Sequence, residues 1–316
     1  GIVDLSGSAA ARVITEQVRV TQVVDIVATY STPQEAEAAV VAGKIRGALV
    51  FPENLTERIA GGDTVAQWLV DASDTMVSSA LLSLRTMPLH LEAGAPRGAY
   101  RPAVNSFELA LLFNPERRSE VNIVPGLTAI VLTMTMILFT SLALVRERER
   151  GNMELLITTP VQPMELMVGK LLPYVLVGLI QVSIILGLGH VVFRVPFTGD
   201  LVSLAVVTLA FIAASLTLGL LISTIARTQL QAMQMTVFVL LPSILLSGFM
   251  FPYDAMPEPA QYIAEAFPAT HYIRLVRGVV LRGAHAGHML PDIGWLLAFT
   301  AVMLTIATLR FRKSLD

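Results

Sequence analysis

Five long apolar runs without a charged side chain occupy most of the second part of this 316-residue chain. An α-helix rises about 1.5 Å per residue, so about 20 such residues cross the roughly 30 Å hydrocarbon core of a bilayer. Backbone polar groups inside lipid must pair within their own segment, which a helix achieves. We therefore predict five membrane-spanning helices, at residues 123–145, 171–193, 201–226, 232–251 and 293–309.

Charged residues are distributed unevenly along the chain. Residues 1–122 contain 10 Lys and Arg and 14 Asp and Glu, whereas residues 123–316 contain 12 and 10. The first part has a composition compatible with water, and the second part does not. This distribution excludes a wholly soluble enzyme and a disordered protein, and the lack of cysteine excludes a disulfide-stabilised scaffold. The net charge of −2 gives no indication of a nucleic-acid partner.

Residues 1–114 alternate between short apolar runs and segments that begin with helix-capping residues. The strand-like runs are 2–5, 23–28, 48–51 and 67–70, and the helix-like segments are 8–20, 33–42, 52–60 and 74–92. Ser8 and Thr32 are typical helix caps, and Pro33 suits a first helical turn. We predict an α/β domain with a small mixed sheet. Asp4, Asp71 and Asp74 lie at or just after strand ends. At such positions an aspartate can belong to a ligand site or simply to a turn, and the sequence leaves both possibilities open.

The distribution of Lys and Arg predicts the orientation, because cytoplasmic loops of membrane proteins are enriched in positive charge. One set of connections carries eight such residues in short loops, and the other carries six in longer ones. We therefore place residues 146–170, 227–231 and the C-terminus in the cytoplasm, and the N-terminal domain, 194–200 and 252–292 outside. A domain outside the membrane needs a preceding signal or anchor, so we expect a further N-terminal span and six spans in the intact protein.

A segment with charges of both signs, residues 146–159, connects the first two predicted spans. Read as a helix, it places Glu147 and Glu154 on one face and Met153 and Leu156 on the opposite face. Such charges exceed what a membrane anchor requires, so we predict an interfacial helix whose Glu147 and Glu154 pair with basic groups of a partner protein. The residues assigned to this contact are Arg146, Glu147, Arg148, Glu149, Gly151, Met153, Glu154 and Leu156.

Glycine and proline interrupt the fourth apolar run in the sequence SGFMFP, residues 247–252. We expect Gly248 to lie at a close approach and Pro252 to turn the chain back at the outer leaflet. Residues 252–283 are amphipathic but too polar to span, which favours short re-entrant helices. The residues of this turn, which we predict to form a gate on the outer side, are Ser247, Gly248, Phe249, Phe251 and Pro252.

The chain lacks the motifs of an ATP-binding or metal-binding protein. Gly169-Lys170 is followed by Leu171, and no glycine precedes Gly169 by five residues, so the phosphate-loop pattern fails. The histidine pair His285 and His288 lacks the further ligands of a zinc site nearby, apart from Asp292. We predict no catalytic, cofactor-binding or metal site in this chain.

Four ordered motifs carry a family resemblance. They are RERERGNMELLITTPVQPMELMVGKLLPYVLVGLIQ (146–181), ISTIARTQLQAM (222–233), LLPSILLSGFMFPYDAMP (240–257) and HYIRLVRGVVLRG (271–283). Together they resemble an ATP-binding-cassette exporter permease of type 2. NPERRSEVNIVPGL (114–127) is similar to the second-span entry of the subgroup with a large outer domain between its first two spans.

The resemblance implies a membrane α-helical bundle, residues 115–316, with an extracytoplasmic α/β domain, residues 1–114. It implies a permease subunit that moves amphiphilic substrates such as drugs or lipids out across a bacterial plasma membrane. ATP and Mg²⁺ would be bound by separate ATPase subunits, which receive segment 146–159 as a coupling helix. A second permease subunit, identical or different, membrane lipid and a periplasmic adaptor are the other implied partners.

Other classes of membrane protein fit the sequence less well. A membrane-anchored receptor or scaffold with an outer sensor domain is the main alternative, but only seven residues follow Leu309 for a cytoplasmic output. A secondary transporter would require acidic or basic residues at membrane depth, and the five apolar runs contain none. An embedded enzyme would require a polar catalytic set there, whereas only scattered Ser, Thr, Gln181 and His190 are found.

Overall fold

The computed structural model describes residues 1–87, 89, 107–150 and 163–310. Within it the chain forms two compact units, Gly1–Ser119 and Glu120–Asp316. Of the predicted features, most of the segment 146–159 and the end of the predicted helix 74–92 lie outside the described residues.

A mixed five-stranded sheet organises the described residues of the N-terminal unit. Its strands are β1 (Ile2–Asp4), β2 (Thr29–Tyr30), β3 (Gly47–Phe51), β4 (Ala66–Asp71) and β5 (Phe107–Leu112). Their order is β2-β1-β3-β4-β5, and all neighbours are parallel except β3 and β4. Alternating side chains of β3 are buried on both faces, Leu49 and Phe51 in one apolar cluster and Ala48 and Val50 in another.

Helices α1 (Ala9–Val20), α2 (Pro33–Val41), α3 (Leu55–Gly61) and α4 (Thr75–Ser83) connect or flank these strands. The predicted caps are confirmed. Ser8 accepts a hydrogen bond from the Ala11 amide, and Thr32 accepts one from the Glu35 amide, which pairs one exposed backbone donor at each helix start.

Two predictions for this unit are wrong. Residues 23–28 do not form a strand, and the edge strand is instead the two-residue β2 that follows them. The apolar alternation in this segment arises because Val24 and Ile26 pack on the core. The predicted helix 74–92 is shorter, since α4 ends at Ser83 and a 3₁₀ turn, Leu84–Thr86, follows. Strand β5 is not predicted from the sequence. It pairs with β4 and extends the sheet on that side.

The C-terminal unit confirms a helical membrane protein with five helices long and apolar enough to span a bilayer, among the residues described. They are α5 (Ser119–Glu149), α6 (Pro163–Phe193), α7 (Leu201–Ile225), α8 (Gln229–Leu246) and α11 (Leu290–Arg310). Two shorter helices, α9 (Glu258–Ala264) and α10 (Pro268–Arg282), lie between α8 and α11. The fourth span ends five residues earlier than predicted, since residues 247–251 form bends. Most residues in the apolar parts of α5 and α7 are buried, whereas few are buried in those of α6, α8 and α11.

Glycine permits a close contact between two helices of this bundle. A Cβ placed on Gly219 of α7 would lie 2.7 Å from the carbonyl oxygen of Ile137 and 2.9 Å from its Cα, both in the backbone of α5. Such close approach through small residues is a common way for membrane helices to pack. On the other side of α5, Thr135 donates a hydrogen bond of 2.8 Å to the Gln181 side chain of α6. Gly219 therefore allows α5 and α7, the two most buried of the spanning helices described, to pack closely.

Candidate functional site

The bundle has two ends that differ in chemistry. At the end called here the basic end, α5 and α7 finish, α6 and α8 begin, and α11 finishes at Arg310. At the opposite end, α8 finishes and α9 and α10 lie among the starts of α5, α7 and α11. The described members of the predicted coupling set, Arg146–Glu149, fall at the basic end, and the predicted gate residues fall at the opposite end.

Residues Arg146–Glu149 at the basic end are the last turn of α5 and not part of a separate interfacial helix. This corrects the predicted start of the coupling helix. The apolar run continues into the charged turn without a break because Arg, Glu and the preceding Leu and Ala are all favourable helix residues. Gly151, Met153, Glu154 and Leu156 lie outside the described residues.

Glu147 at the basic end forms an ion pair with Lys170 of α6. Both side chains are partly exposed, so the pair contributes modestly to stability, on the order of 1 kcal/mol or less. The sequence predicts that Glu147 faces basic groups of a partner protein, whereas in this structure it pairs with Lys170 of its own chain. The pair connects the end of α5 to α6.

Glu149 connects the same turn of α5 to α8. Its carboxylate accepts a hydrogen bond of 2.9 Å from the backbone amide of Gln229 and another from the Gln229 side chain. Gln229 is the first residue of α8, where unpaired backbone amides favour a negative charge. Thr228 caps the same helix by accepting from the Gln231 amide. Two acidic side chains of one turn therefore hold three helix ends together.

The bend after α8 contains the predicted gate residues. Gly248 has a φ of +82°, a left-handed conformation that favours glycine. A Cβ there would have its nearest neighbour at 3.8 Å, so the expected close approach at Gly248 is wrong, and glycine is needed for its backbone angle. The close approach lies next to it, since a Cβ on Gly126 of α5 would be 2.7 Å from the Phe249 ring.

Arg277 of α10 contacts the same bend. The side chain is buried, and its Nη1 donates a hydrogen bond of 3.1 Å to the carbonyl oxygen of Gly248. Its Nη2 is 3.4 Å from the position that a Cβ on Gly126 would take. The guanidinium of Arg277 thus connects α10 to the bend after α8 and to the beginning of α5.

Helix α10 is enclosed by its neighbours over almost its whole length. The Tyr272 ring stacks on Phe211 of α7 with 4.2 Å between ring centres, and its hydroxyl lies 3.1 Å from the Thr208 hydroxyl. At the other end of α10, the Thr198 amide and hydroxyl donate to the carbonyl oxygens of Val280 and Leu281, which pairs two acceptors at the helix end. The α10 part of the predicted re-entrant segment is therefore packed inside the bundle.

A second group of polar side chains joins α10 to α11 and to the residue after α9. Arg274 forms an ion pair with Glu265 and lies 3.4 Å from Asp292, and its guanidinium sits 4.4 Å from the centre of the Tyr253 ring. His271 lies 2.7 Å from Asp292. Burial opposes ionisation of Glu265, but hydrogen bonds from Arg274 and Tyr253 outweigh it, and the pKa of this carboxyl is lowered.

This charged cluster and Arg277 were not identified from the sequence. The available signal was the sequence HYIRLVR, in which His271, Arg274 and Arg277 recur every three residues in an apolar helix. Such a spacing places polar groups on one face, and a buried helix then requires acceptors nearby. The acceptors come from Gly248, Glu265 and Asp292, whose proximity the sequence does not indicate.

Asp4 and Asp71 of the N-terminal unit accept hydrogen bonds within turns. Asp4 accepts hydrogen bonds of 3.0 Å from the amides of Ser6 and Gly7, and Asp71 accepts one of 3.0 Å from the Ser73 amide. Asp71 is also 3.5 Å from Arg46. These contacts favour the turn reading over the ligand-site reading for both residues.

Comparison with known proteins gives a consistent result. A model of the family described as ABC-2 family transporter protein matches residues 1–309. A probable multidrug ABC transporter permease of Escherichia coli, YbhS, is 30% identical over 90% of this chain and 77% of its own length. The inner membrane transport permease YhhJ of the same organism is 32% identical with the same coverage. A second E. coli permease, YbhR, is 31% identical over 67% of this chain and 58% of its own length. No solved structure matches.

Proposed function

The chain belongs to the ABC-2 family of transporter proteins, and we propose that it is the permease of an ATP-driven exporter for amphiphilic compounds. The family match confirms the resemblance seen in the sequence. The names of the relatives, two of them probable multidrug permeases, support the amphiphilic substrate class. The five apolar helices support a multi-pass location in a membrane, which we propose to be a bacterial plasma membrane with the N-terminal unit outside.

Helix α5 is the observation that carries this proposal. It is one continuous helix from Ser119 to Glu149, with the contacts to α6 and α8 at one end and the contact with Phe249 near the other. From Glu147 to Gly126 it covers 21 residue steps, roughly 30 Å. A single helix of this length transmits a displacement at the basic end directly to the bend at the opposite end.

The proposed coupling follows from these contacts. ATPase subunits bound at the basic end would displace the turn Arg146–Glu149 together with the starts of α6 and α8, because Glu147 and Glu149 hold these segments together. ATP and Mg²⁺ belong to the ATPase subunits in this proposal. A second permease subunit, identical or different, would complete the pathway, and membrane lipid and a periplasmic adaptor remain further proposed partners.

ATP-dependent uptake into proteoliposomes tests the proposal. The full chain is purified with the ATPase subunit that binds it, reconstituted, and assayed for ATP-dependent uptake of ethidium as a cationic amphiphile and of a fluorescent phospholipid. We expect uptake of at least one probe that requires both proteins and ATP. ATP hydrolysis that no amphiphile changes, together with no uptake, would contradict the exporter proposal.

The orientation gives a separate prediction. The native chain has no cysteine, so single cysteines can be labelled without background. Cysteine in place of Ser31 is expected to react with an impermeant maleimide from outside intact cells, and cysteine in place of Arg227 only after the membrane is opened. Both native side chains are exposed, so access is not limited by packing. Equal labelling of both from outside would show that the orientation is wrong.

The ion pair at the basic end gives a prediction for coupling. Glu147→Lys and Lys170→Glu each place two like charges next to each other, which is unfavourable where opposite charges had met. Each single variant is expected to lower ATP-driven ethidium uptake, and the double variant Glu147→Lys/Lys170→Glu is expected to recover most of it. A double variant no better than the weaker single variant would mean that this contact does not carry the coupling.

A further inference from the structure

His271 of α10 lies between two hydrogen-bond acceptors. Its Nδ1 is 2.7 Å from the Asp292 carboxylate, and its Nε2 is 3.1 Å from the backbone carbonyl oxygen of Glu265. A neutral imidazole has one N–H and one lone pair, so it satisfies one acceptor and turns its lone pair toward the other. The imidazolium form donates to both.

Asp292 does not supply the missing proton. Its carboxylate oxygen also lies 3.4 Å from the Arg274 guanidinium, and an adjacent cation favours the ionised carboxylate. The carbonyl of Glu265 has no proton to give. Both partners of His271 are thus acceptors, and only a ring that carries two protons donates to both of them.

The surroundings of His271 fit a cation. The ring is 4% exposed and stacks on Trp295 of α11 with 4.0 Å between ring centres, an arrangement that stabilises a positive charge. The Glu265 carboxylate lies 3.4 Å from Nε2. The charged groups that face His271 are therefore Glu265 from the link after α9, Asp292 from α11, and Arg274 from its own helix. With His271 protonated, two cations balance two carboxylates.

We propose that His271, Glu265, Arg274 and Asp292 form a proton-sensitive latch that holds α10 and the end of α9 on α11. Loss of one proton leaves the cluster with a net charge of −1 and a lone pair facing an oxygen atom, so the contact between the helices weakens. Histidine is the side chain that most commonly serves as a proton-responsive switch in proteins. The role of the latch in opening the outer side for release rests on the proposed function.

The first test measures the protons directly in the unaltered protein. The full chain is labelled with ¹⁵N-histidine and reconstituted in lipid nanodiscs, and the five histidines are assigned by single substitution. At pH 5.5 both nitrogens of His271 are expected to show the chemical shifts of N–H groups. A neutral ring at pH 5.5, with one N–H and one unprotonated nitrogen, would overturn the proposal.

The second test measures the movement. Spin labels at cysteines replacing Tyr262 of α9 and Leu290 of α11, both exposed, report the distance between these helices. We expect one narrow distribution at pH 5.5 and a broader one at pH 8.5. His271→Gln, which mimics the neutral ring, is expected to give the broad distribution at both values.

His285→Gln is the matched control. His285 also pairs with an aspartate, Asp200 at 3.0 Å, but it is exposed and lies outside the cluster. In His285→Gln the distance distribution is expected to change with pH as in the unaltered chain. A distribution that still changes with pH in His271→Gln would overturn the latch. Neither test involves ATP or transport, so a failed latch and a failed exporter proposal give different results.

Discussion

Gly219→Leu is expected to destabilise the bundle strongly and to lower its thermal midpoint. Even the first side-chain atom would lie 2.7 Å from a carbonyl oxygen and 2.9 Å from a Cα of α5, and backbone atoms of a helix do not move aside as a flexible side chain does. Overpacking in a core usually costs about 1–3 kcal/mol, and here two central helices must separate to accommodate the side chain. The measurement is the thermal midpoint of monodisperse protein in detergent or nanodiscs.

Gly187→Leu is the control for this prediction. Gly187 also lies within a spanning helix, α6, but a Cβ there meets no atom within 4 Å. The two variants add the same apolar side chain to a membrane helix and differ in the space around it. We expect the midpoint of Gly187→Leu to remain close to that of the unaltered chain. Similar midpoints for both variants would show that the contact between Gly219 and Ile137 does not determine the packing of the bundle.

The membrane helices were predictable because one strong property defines them. Lipid excludes charge, so the limits of an apolar run approximate the limits of a span. For four of the five runs, most of the predicted ends lie within a few residues of the ends of the helix. The errors occur where hydropathy stops being informative. Residues 247–251 are apolar but bent, since Gly248 has a left-handed backbone, and Arg146–Glu149 are charged but still helical.

The candidate site was less predictable because it depends on contacts between distant residues. The sequence indicated that Glu147 was available to a partner, but it did not indicate that Lys170, 23 positions away, would meet it. The same holds for Arg277 and Gly248, which come together across 29 positions. Residue type predicts that a buried cation requires an acceptor, while only the fold determines which backbone carbonyl supplies it.

Arg277→Met is expected to impair transport strongly while the protein folds and binds its ATPase. Methionine is similar in length and apolar, and replacing a buried charge by an apolar side chain is often tolerated by the fold. The hydrogen bond to Gly248 is lost, however, and a hydrogen bond from a charged donor contributes about 1.5–3 kcal/mol. If that contact must form in one state of the transport cycle, the rate of ATP-driven ethidium uptake falls about ten- to hundredfold.

Arg282→Met separates loss of this contact from loss of any buried arginine in α10. Arg282 is also buried, but its Nη2 lies beside Gly278, near Met289, on a different side of the helix from the bend after α8. We expect Arg282→Met to retain most uptake and Arg277→Lys, which keeps the charge but shortens the reach, to fall between the two. Equal uptake by Arg277→Met and Arg282→Met, at equal thermal midpoints, would show that the hydrogen bond between Arg277 and Gly248 does not control the outer gate. A deficit confined to Arg277→Met would instead link the movement of α5 to the bend through this one side chain.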